Sequence, residues 1–170
     1  MIELTTATLK KYDLPVSEKK IAVLCEYYSI LIEYQNVRHI NLTGIIEPRD
    51  FIIKNIVDTA LLMRHINLTD RKIIDLGSGN GIPGLLIAVL FPESEVTLVD
   101  SVKKKVGFLN YATTALRLKN CAAVAERIEL LAKKKEYFEV YDLALGRALA
   151  DLAGFAELSA PFIKTGGYII

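Results

Sequence analysis

The 13 residues from Lys72 to Gly84, KIIDLGSGNGIPG, restrict the possible folds more than any other stretch. Ile73-Ile74-Asp75-Leu76 reads as a buried strand and Gly77-Ser78-Gly79-Asn80-Gly81 as a glycine-rich turn. Pro83 then opens an apolar run, Leu85 to Phe91, that reads as a helix. Glycine lets the backbone turn sharply and lets a ligand approach with no Cβ in the way. Unpaired N–H groups at the helix start point outward beside it. Proline suits the first helical turn because its missing N–H would have no partner there. A second strand over 95–99 ends at Asp100, 23 residues after Gly77. A carboxylate at that strand end is placed to accept hydrogen bonds from both ribose hydroxyls. Together the two features point to an adenosine-containing cofactor.

Two registers of the glycine motif compete. Gly79 to Gly84 fits the G-x-G-x-x-G fingerprint of NAD enzymes, but it begins only after Gly77-Ser78 has used up the turn. In the other register Gly77 stands directly at the strand end, preceded by Asp75. That D-x-G-x-G-x-G order resembles the first motif of S-adenosylmethionine-dependent methyltransferases, in which the acidic residue faces the methionine part of the cofactor. A pyrophosphate sits poorly beside a carboxylate, and a sulfonium amino acid does not.

With 52% hydrophobic residues and mean hydropathy +0.31, the 170-residue chain can bury a sizeable core. The net charge of +1, from 21 basic and 20 acidic residues, excludes a protein held on nucleic acid by bulk electrostatics and leaves room for a local basic patch. No apolar run approaches a membrane span, and the N-terminus lacks a signal-peptide layout. Cys25, Cys121, His39 and His65 are isolated and form no metal motif, so reduced thiols and a cytoplasmic location are expected.

Along the chain, helical spacing predicts a long amphipathic helix over 17–40, capped by Ser17, with Ile21, Leu24, Tyr28, Leu31 and Ile32 on one face. A second helix is predicted over 50–63, with Ile53, Ile56, Val57, Ala60 and Leu61 inward and Lys54, Asn55 and Asp58 on more polar positions. From Lys72 strands and helices alternate: helix 102–118, strand 122–125, helix 128–132, strand 141–145, helix 149–163, and a last strand starting at Tyr168. Such alternation implies an α/β, Rossmann-like fold, a mostly parallel sheet with helices on both faces and ligands at the carboxyl ends of the strands. Residues 1–70 are expected to form a helical extension and 71–170 the cofactor-binding domain. The chain stops inside its last apolar strand, so C-terminal strands of the fold are expected to be missing.

Candidate site residues follow from the strand ends: Asp75 to Gly81, Asp100-Ser101, Glu126 to Glu129, and Gly146-Arg147. After the third strand, an apolar Ile128 against an adenine ring and a nearby carboxylate against its amine both make chemical sense. An acidic helix start is the plainer alternative. Lys103-Lys104-Lys105 opens a helix, where positive charge opposes the dipole at a cost of a few tenths to about 1 kcal/mol each, which suggests a docked polyanion. Lys133 to Lys135 lies on the opposite edge and reads as a solvated loop. Arg147 can hold a phosphate or a base edge, or simply pair with Asp151. No nucleophile–base arrangement is defensible. Methylation of the seven-position nitrogen of guanine needs none, because that nitrogen already carries a free lone pair.

Jointly the motifs resemble one family, the RsmG (GidB) methyltransferases of 16S ribosomal RNA. The resemblance is carried by Asn41-Leu42-Thr43, Asp58, DLGSGNGIPG at 75–84, Leu98-Val99-Asp100-Ser101 with Lys104-Lys105, Arg127-Ile128-Glu129 and Arg147-Ala148, and by Pro161 and Gly166-Gly167. It covers nearly the whole chain from residue 17. It implies S-adenosylmethionine as cofactor, with contacts from Gly77, Ile82, Ile128, Glu129 and Arg147, and supports Asp100 at the ribose; the glycine motif itself adds Asp75, Ser78, Gly79 and Gly81 to the expected cofactor-binding residues. It also implies Arg147 as the catalytic residue, Lys104 and Lys105 at RNA, and no metal. The expected partner is 16S ribosomal RNA or the small ribosomal subunit, with neither DNA nor a membrane, and a full-length protein that is monomeric. The chain departs from the family where Asn36-Val37 replace a usual Trp-Asn pair and where Asn55 replaces a usual His. The family also continues for several dozen residues past Gly167. The missing C-terminal part and Asn55 leave open a non-catalytic cofactor- or RNA-binding remnant, and the Gly79–Gly84 register leaves open an NAD-dependent oxidoreductase.

Overall fold

A computed structural model describes residues 1–170. Helices come first: α1 (Ile2–Lys11), α2 (Glu18–Arg38), α3 (Pro48–Phe51) and α4 (Asp58–Leu61), the last two joined without a break by a π-helical segment over Ile52–Val57. The alternating part follows as β1 (Lys72–Leu76), α5 (Gly84–Leu90), β2 (Glu95–Asp100), α6 (Lys103–Ala115), β3 (Cys121–Ala125), α7 (Ile128–Leu131), β4 (Tyr141–Leu145), α8 (Leu152–Ser159) and β5 (Ile163–Ile169). All strand pairs are parallel, in the order β3-β2-β1-β4-β5. The expected parallel sheet with helices on both faces is therefore present. Its order reverses between β1 and β4, which opens a crevice at their carboxyl ends.

Strand alternation sends side chains to two apolar clusters. Ile73, Val96, Leu98, Leu143 and Leu145 join the larger one, with α2, α5, α6 and the π segment. Ile74, Leu76, Val99 and Ala144 join the smaller one, with Leu131, Phe155 and Phe162. Every residue of α5 is buried, because α5 lies between the sheet and the N-terminal helices α2 and α4. A helix covered on all sides is apolar on all sides, and GLLIAVL is. One core thus runs from Leu9 in α1 to Leu145 in β4.

Several elements differ from the sequence expectation. Helix α1 was not anticipated; it docks through Thr5 and Leu9, and the Thr5 hydroxyl lies 3.5 Å from the Cys25 sulfur. Tyr28 and Ile32 are only partly buried, and Cys25 and Tyr27 complete the inner face of α2 instead. The wider turn of the π segment rotates Asn55 inward beside Ile52 and Ile56 and leaves Ile53 at the surface. Helix α8 is shorter than 149–163: Asp151 caps its start, accepting from the Gly154 N–H at 2.8 Å, and Ala160–Phe162 tightens into a 3₁₀ turn. Strand β5 begins at Ile163 rather than Tyr168. Its register with β4 shifts, with Gly166 at φ +83°, so the glycine pair is a bulge within the strand and not the turn before it.

Candidate active site

At the carboxyl ends of β1 to β4 lies a cavity of about 690 Å³, within the range of small-molecule sites. Gly77, Asp100, Ile128, Glu129 and Arg147 line it, together with Val102, Lys105 and Leu149. A second cavity, about 280 Å³, adjoins it and is lined by Ser78, Gly79, Asn80, Ile82, Asn55 and Thr43. Gly77, Lys105, Arg147 and Ala148 are common to both.

Gly77 shows why the first turn residue lacks a side chain. Its φ is +72°, and a Cβ there would stand 2.7 Å from Leu149 Cδ1, on the cavity wall. Ser78 is an internal strut. Its hydroxyl donates to the Asp75 carbonyl at 2.7 Å and accepts from the Val99 N–H at 3.0 Å, tying the ends of β1 and β2 together. Asp100 holds the loop from the other side. One carboxylate oxygen accepts from the Gly79 N–H at 2.9 Å and the other from the Val102 N–H at 2.8 Å. It remains 7% exposed and lines the larger cavity, and a carboxylate can accept more hydrogen bonds than these two.

Asp75 lies elsewhere. Alternation puts it on the face of Ile73, away from both cavities, where its carboxylate accepts from the Gly84 N–H at 3.0 Å at the start of α5. It is 1% exposed. Burial pushes its pKa up to about 7, against the opposing pull of the Gly84 hydrogen bond. Strand geometry therefore leaves Asp75, expected at the ligand, lining neither cavity. Gly81 and Lys104 also line neither cavity: Gly81, at φ +89°, turns the chain against Leu85 and Leu109, and Lys104 is at the surface.

Arg147 does not pair with Asp151. Its Nη1 donates instead to Asn55 Oδ1 at 2.8 Å, so the π segment reaches across the crevice to β4. A guanidinium only donates, which fixes the amide orientation and turns Asn55 Nδ2 away. That amide nitrogen has no partner although Asn55 is only 2% exposed, and neither has the Thr59 hydroxyl one helical turn later. Unsatisfied buried donors are uncommon, and here both sit beside Arg147 at cavities. Near α7, the Glu129 carboxyl is held below its ordinary range, first by its own backbone N–H and then by Arg127.

A residue the sequence did not single out supports the glycine loop. Fully buried Tyr27 of α2 donates its hydroxyl to the Asn80 carbonyl, and its ring packs on Phe51 and Phe108. The available signal was a phenol on an otherwise apolar helix face, since a buried Tyr hydroxyl needs a partner. Exchanging Tyr27 for Phe should cost about 0.5–1.5 kcal/mol in urea unfolding by leaving that carbonyl unpaired. An unchanged midpoint would mean that water replaces the phenol freely.

Solved structures with the same fold define the class. A Methanococcus maripaludis protein assigned to the S-adenosyl-L-methionine-dependent methyltransferases superposes with a TM-score of 0.61 at 18% identity, over 82% of this chain and 62% of that one. An Aquifex aeolicus SAM-dependent methyltransferase gives 0.54 at 17% identity, over 66% of this chain and 61% of that one. At such identities the likeness is one of fold: this is the Rossmann-like fold of the S-adenosylmethionine-dependent methyltransferases. Within that class, residues 20–170 match the family GidB, rRNA small subunit methyltransferase G, and the chain belongs to that family. It is 36% identical to the ribosomal RNA small subunit methyltransferase G of Desulforamulus reducens over 162 residues, 95% of this chain and 67% of the relative. The Mesoplasma florum protein of the same name is 40% identical over 147 residues, 86% of this chain and 60% of the relative. The chain therefore spans about three-fifths to two-thirds of the length of the relatives it matches.

Proposed function

We propose that this chain binds S-adenosylmethionine in the larger cavity and serves methylation of the seven-position nitrogen of a guanine in 16S ribosomal RNA. The observation that carries the reading is Asp100. It is an acceptor-only group at the end of β2, on the wall of a cavity of cofactor size, with accepting capacity beyond its two loop bonds. Ribose hydroxyls are donors that match it. Ile128 and Val102 offer apolar surface for an adenine ring, and the Glu129 carboxylate offers an acceptor for its amine. Gly77, Ser78, Gly79 and Ile82 bring backbone rather than side-chain chemistry to the methionine end. Asp75 and Gly81 shape the loop from behind.

When bound, the cofactor supplies an electrophilic methyl group on a sulfonium. What the chain's residues contribute is orientation. Arg147 stands where the two cavities meet, and Asn55 holds its guanidinium. A donor of Arg147 suits the six-position oxygen of a guanine, which leaves the lone pair of the seven-position nitrogen free for the methyl group and in need of no general base. The unpaired amide of Asn55, which lines the smaller cavity with Arg147, supports an acceptor side at this point. Lys105, on both cavity walls, and exposed Lys104 meet the phosphates, with 16S ribosomal RNA or the small ribosomal subunit as partner.

Calorimetric titration tests the reading. S-adenosylhomocysteine should bind and NAD should not; NAD binding with no signal from S-adenosylhomocysteine would end it.

A further inference from the structure

Beyond the two cavities, the surface where α2 meets α6 carries an aromatic and cationic ledge that the catalytic reading does not use. Its parts are Tyr34, Val37 and Arg38 of α2 and Tyr111 of α6, around a hollow of about 130 Å³. Tyr111 is 50% exposed and Val37 68% exposed. The rings of Tyr34 and Tyr111 lie 5.2 Å apart, centroid to centroid, at 38°. Tyr34 is in turn held edge-on at 5.2 Å by Phe108, which is fully buried, so the ledge is fixed from the core. Arg38 sits 5.9 Å from the centroid of the Tyr34 ring. Glu33 is the one carboxylate lining the hollow.

The ledge continues along one face of α6. Lys104 and Tyr111 are two helical turns apart and both exposed, with Gly107 exposed between them. A Cβ on Gly107 would lie 3.8 Å from the Tyr34 hydroxyl, so the Tyr34 ring reaches over that gap. Lys103, Lys104 and Lys105 crowd the start of α6 with no acidic residue in its first turn, a placement that the helix dipole opposes. An exposed Tyr111 ring backed by the partly buried Tyr34, with a guanidinium beside it and lysines flanking it, has the chemistry of a single-stranded nucleic-acid platform. Base faces stack on the rings, and ammonium groups neutralise the phosphates. A second copy of this chain would instead need an extended apolar face, and Lys103, Lys104 and Arg38 break this one up.

We propose that this ledge binds an unpaired nucleotide of the RNA strand whose target base enters the cavity, stacking its base on Tyr111 and Tyr34. The proposal rests on the reading that the chain acts on RNA. Lys105 lines the cavity, and from Lys104 the helical rise to Tyr111 is roughly 10 Å. A strand leaving the cavity therefore passes over the ledge with a nucleotide close to the target.

The test uses a short single-stranded RNA carrying 2-aminopurine beside a guanine, titrated with the protein and with its Tyr111→Ala, Tyr111→Phe and Lys104→Ala variants. Stacking should quench the probe. Tyr111→Ala should weaken RNA binding about 5- to 150-fold, the range for loss of one base–aromatic stack, and abolish the quench. Tyr111→Phe should keep both. Lys104→Ala should weaken binding and flatten its salt dependence while leaving the quench at saturation. S-adenosylhomocysteine affinity, measured in parallel, should be the same in all four proteins. RNA binding that is unaffected in Tyr111→Ala would overturn the ledge while leaving the RNA reading intact. A parent protein that binds S-adenosylhomocysteine but no RNA would overturn the RNA reading and the ledge with it. A change of sedimentation in Tyr111→Ala would assign the ledge to contact between copies of the chain.

Discussion

Exchanging Asp75 for asparagine is expected to remove a stability penalty that grows as the solution becomes more alkaline. The native protein holds the Asp75 proton up to about pH 7, mainly because the carboxyl is buried. The unfolded chain releases it near the ordinary value of 3.8. Between those values the native state binds more protons than the unfolded state, so the contribution of Asp75 to stability falls as pH rises through this window. The contribution is fully present below about pH 4 and lost above about pH 7. At about 1.4 kcal/mol per pH unit, the part lost between pH 5 and pH 8 is on the order of 2–4 kcal/mol. Asparagine has nearly the same shape and keeps an oxygen for the Gly84 N–H, but it carries no charge to desolvate. Its buried amide N–H groups carry a pH-independent cost of their own, so the pH trend is the informative quantity. Urea unfolding of both proteins at pH 5, 6, 7 and 8 should show the difference moving in the variant's favour by that amount. A constant difference would mean that Asp75 ionises normally and that water reaches it.

Loss of Asp100 should produce the other large effect, through two routes at once. Its carboxylate is the proposed ribose acceptor, and it also accepts from the Gly79 and Val102 N–H groups. Asp100→Ala should therefore weaken S-adenosylhomocysteine binding by about 1–3 kcal/mol, the range for charge-assisted hydrogen bonds, and lower the thermal midpoint as well. Asp100→Asn separates the routes. An asparagine has a single acceptor oxygen, so one loop amide loses its partner while the side chain still occupies its place. Calorimetry and thermal melts on both variants give the split. Full affinity in Asp100→Ala would show that the ribose is held elsewhere.

The stretch from β1 to β2 was legible in sequence because its determinants are local. Glycines permit the positive φ values, a short apolar run marks each strand, and Asp100 follows its strand directly. The orientation of Asp75 also follows a local rule. Side chains alternate along a strand, so Asp75 shares a face with Ile73, which packs under α5. Asn55 was beyond reach for a different reason. Its inward turn depends on the extra residue per turn over Ile52–Val57, and a pattern read at a period of 3.6 assigns it to the wrong side. Its bond to Arg147 joins residues 92 apart in sequence, and nothing in either neighbourhood announces it. Helix α1 escaped because only Thr5 and Leu9 of its ten residues are buried, too few to set up a periodic signal. In β5, Gly166-Gly167 marked a real irregularity, but glycine alone does not say whether the irregularity is a turn or a bulge.

The hydrogen bond from Tyr27 to Asn80 also sets a schedule. The two residues are 53 positions apart, and the phenol leaves the ribosome first. At synthesis rates of about 5–20 residues per second, α2 waits roughly 3–10 s before the loop it supports has even been made. Through that interval Leu24, Tyr27 and Leu31 have neither α5 nor the sheet to cover them, and their face is open to whatever holds nascent chains. The glycine loop, by contrast, emerges with the Tyr27 hydroxyl already synthesised, although Phe108, which packs on that ring, follows later. Its rigidity is inherited from a helix translated earlier, so slowing translation between α2 and β1 lengthens the exposure of the helix without delaying the closure of the loop once it appears.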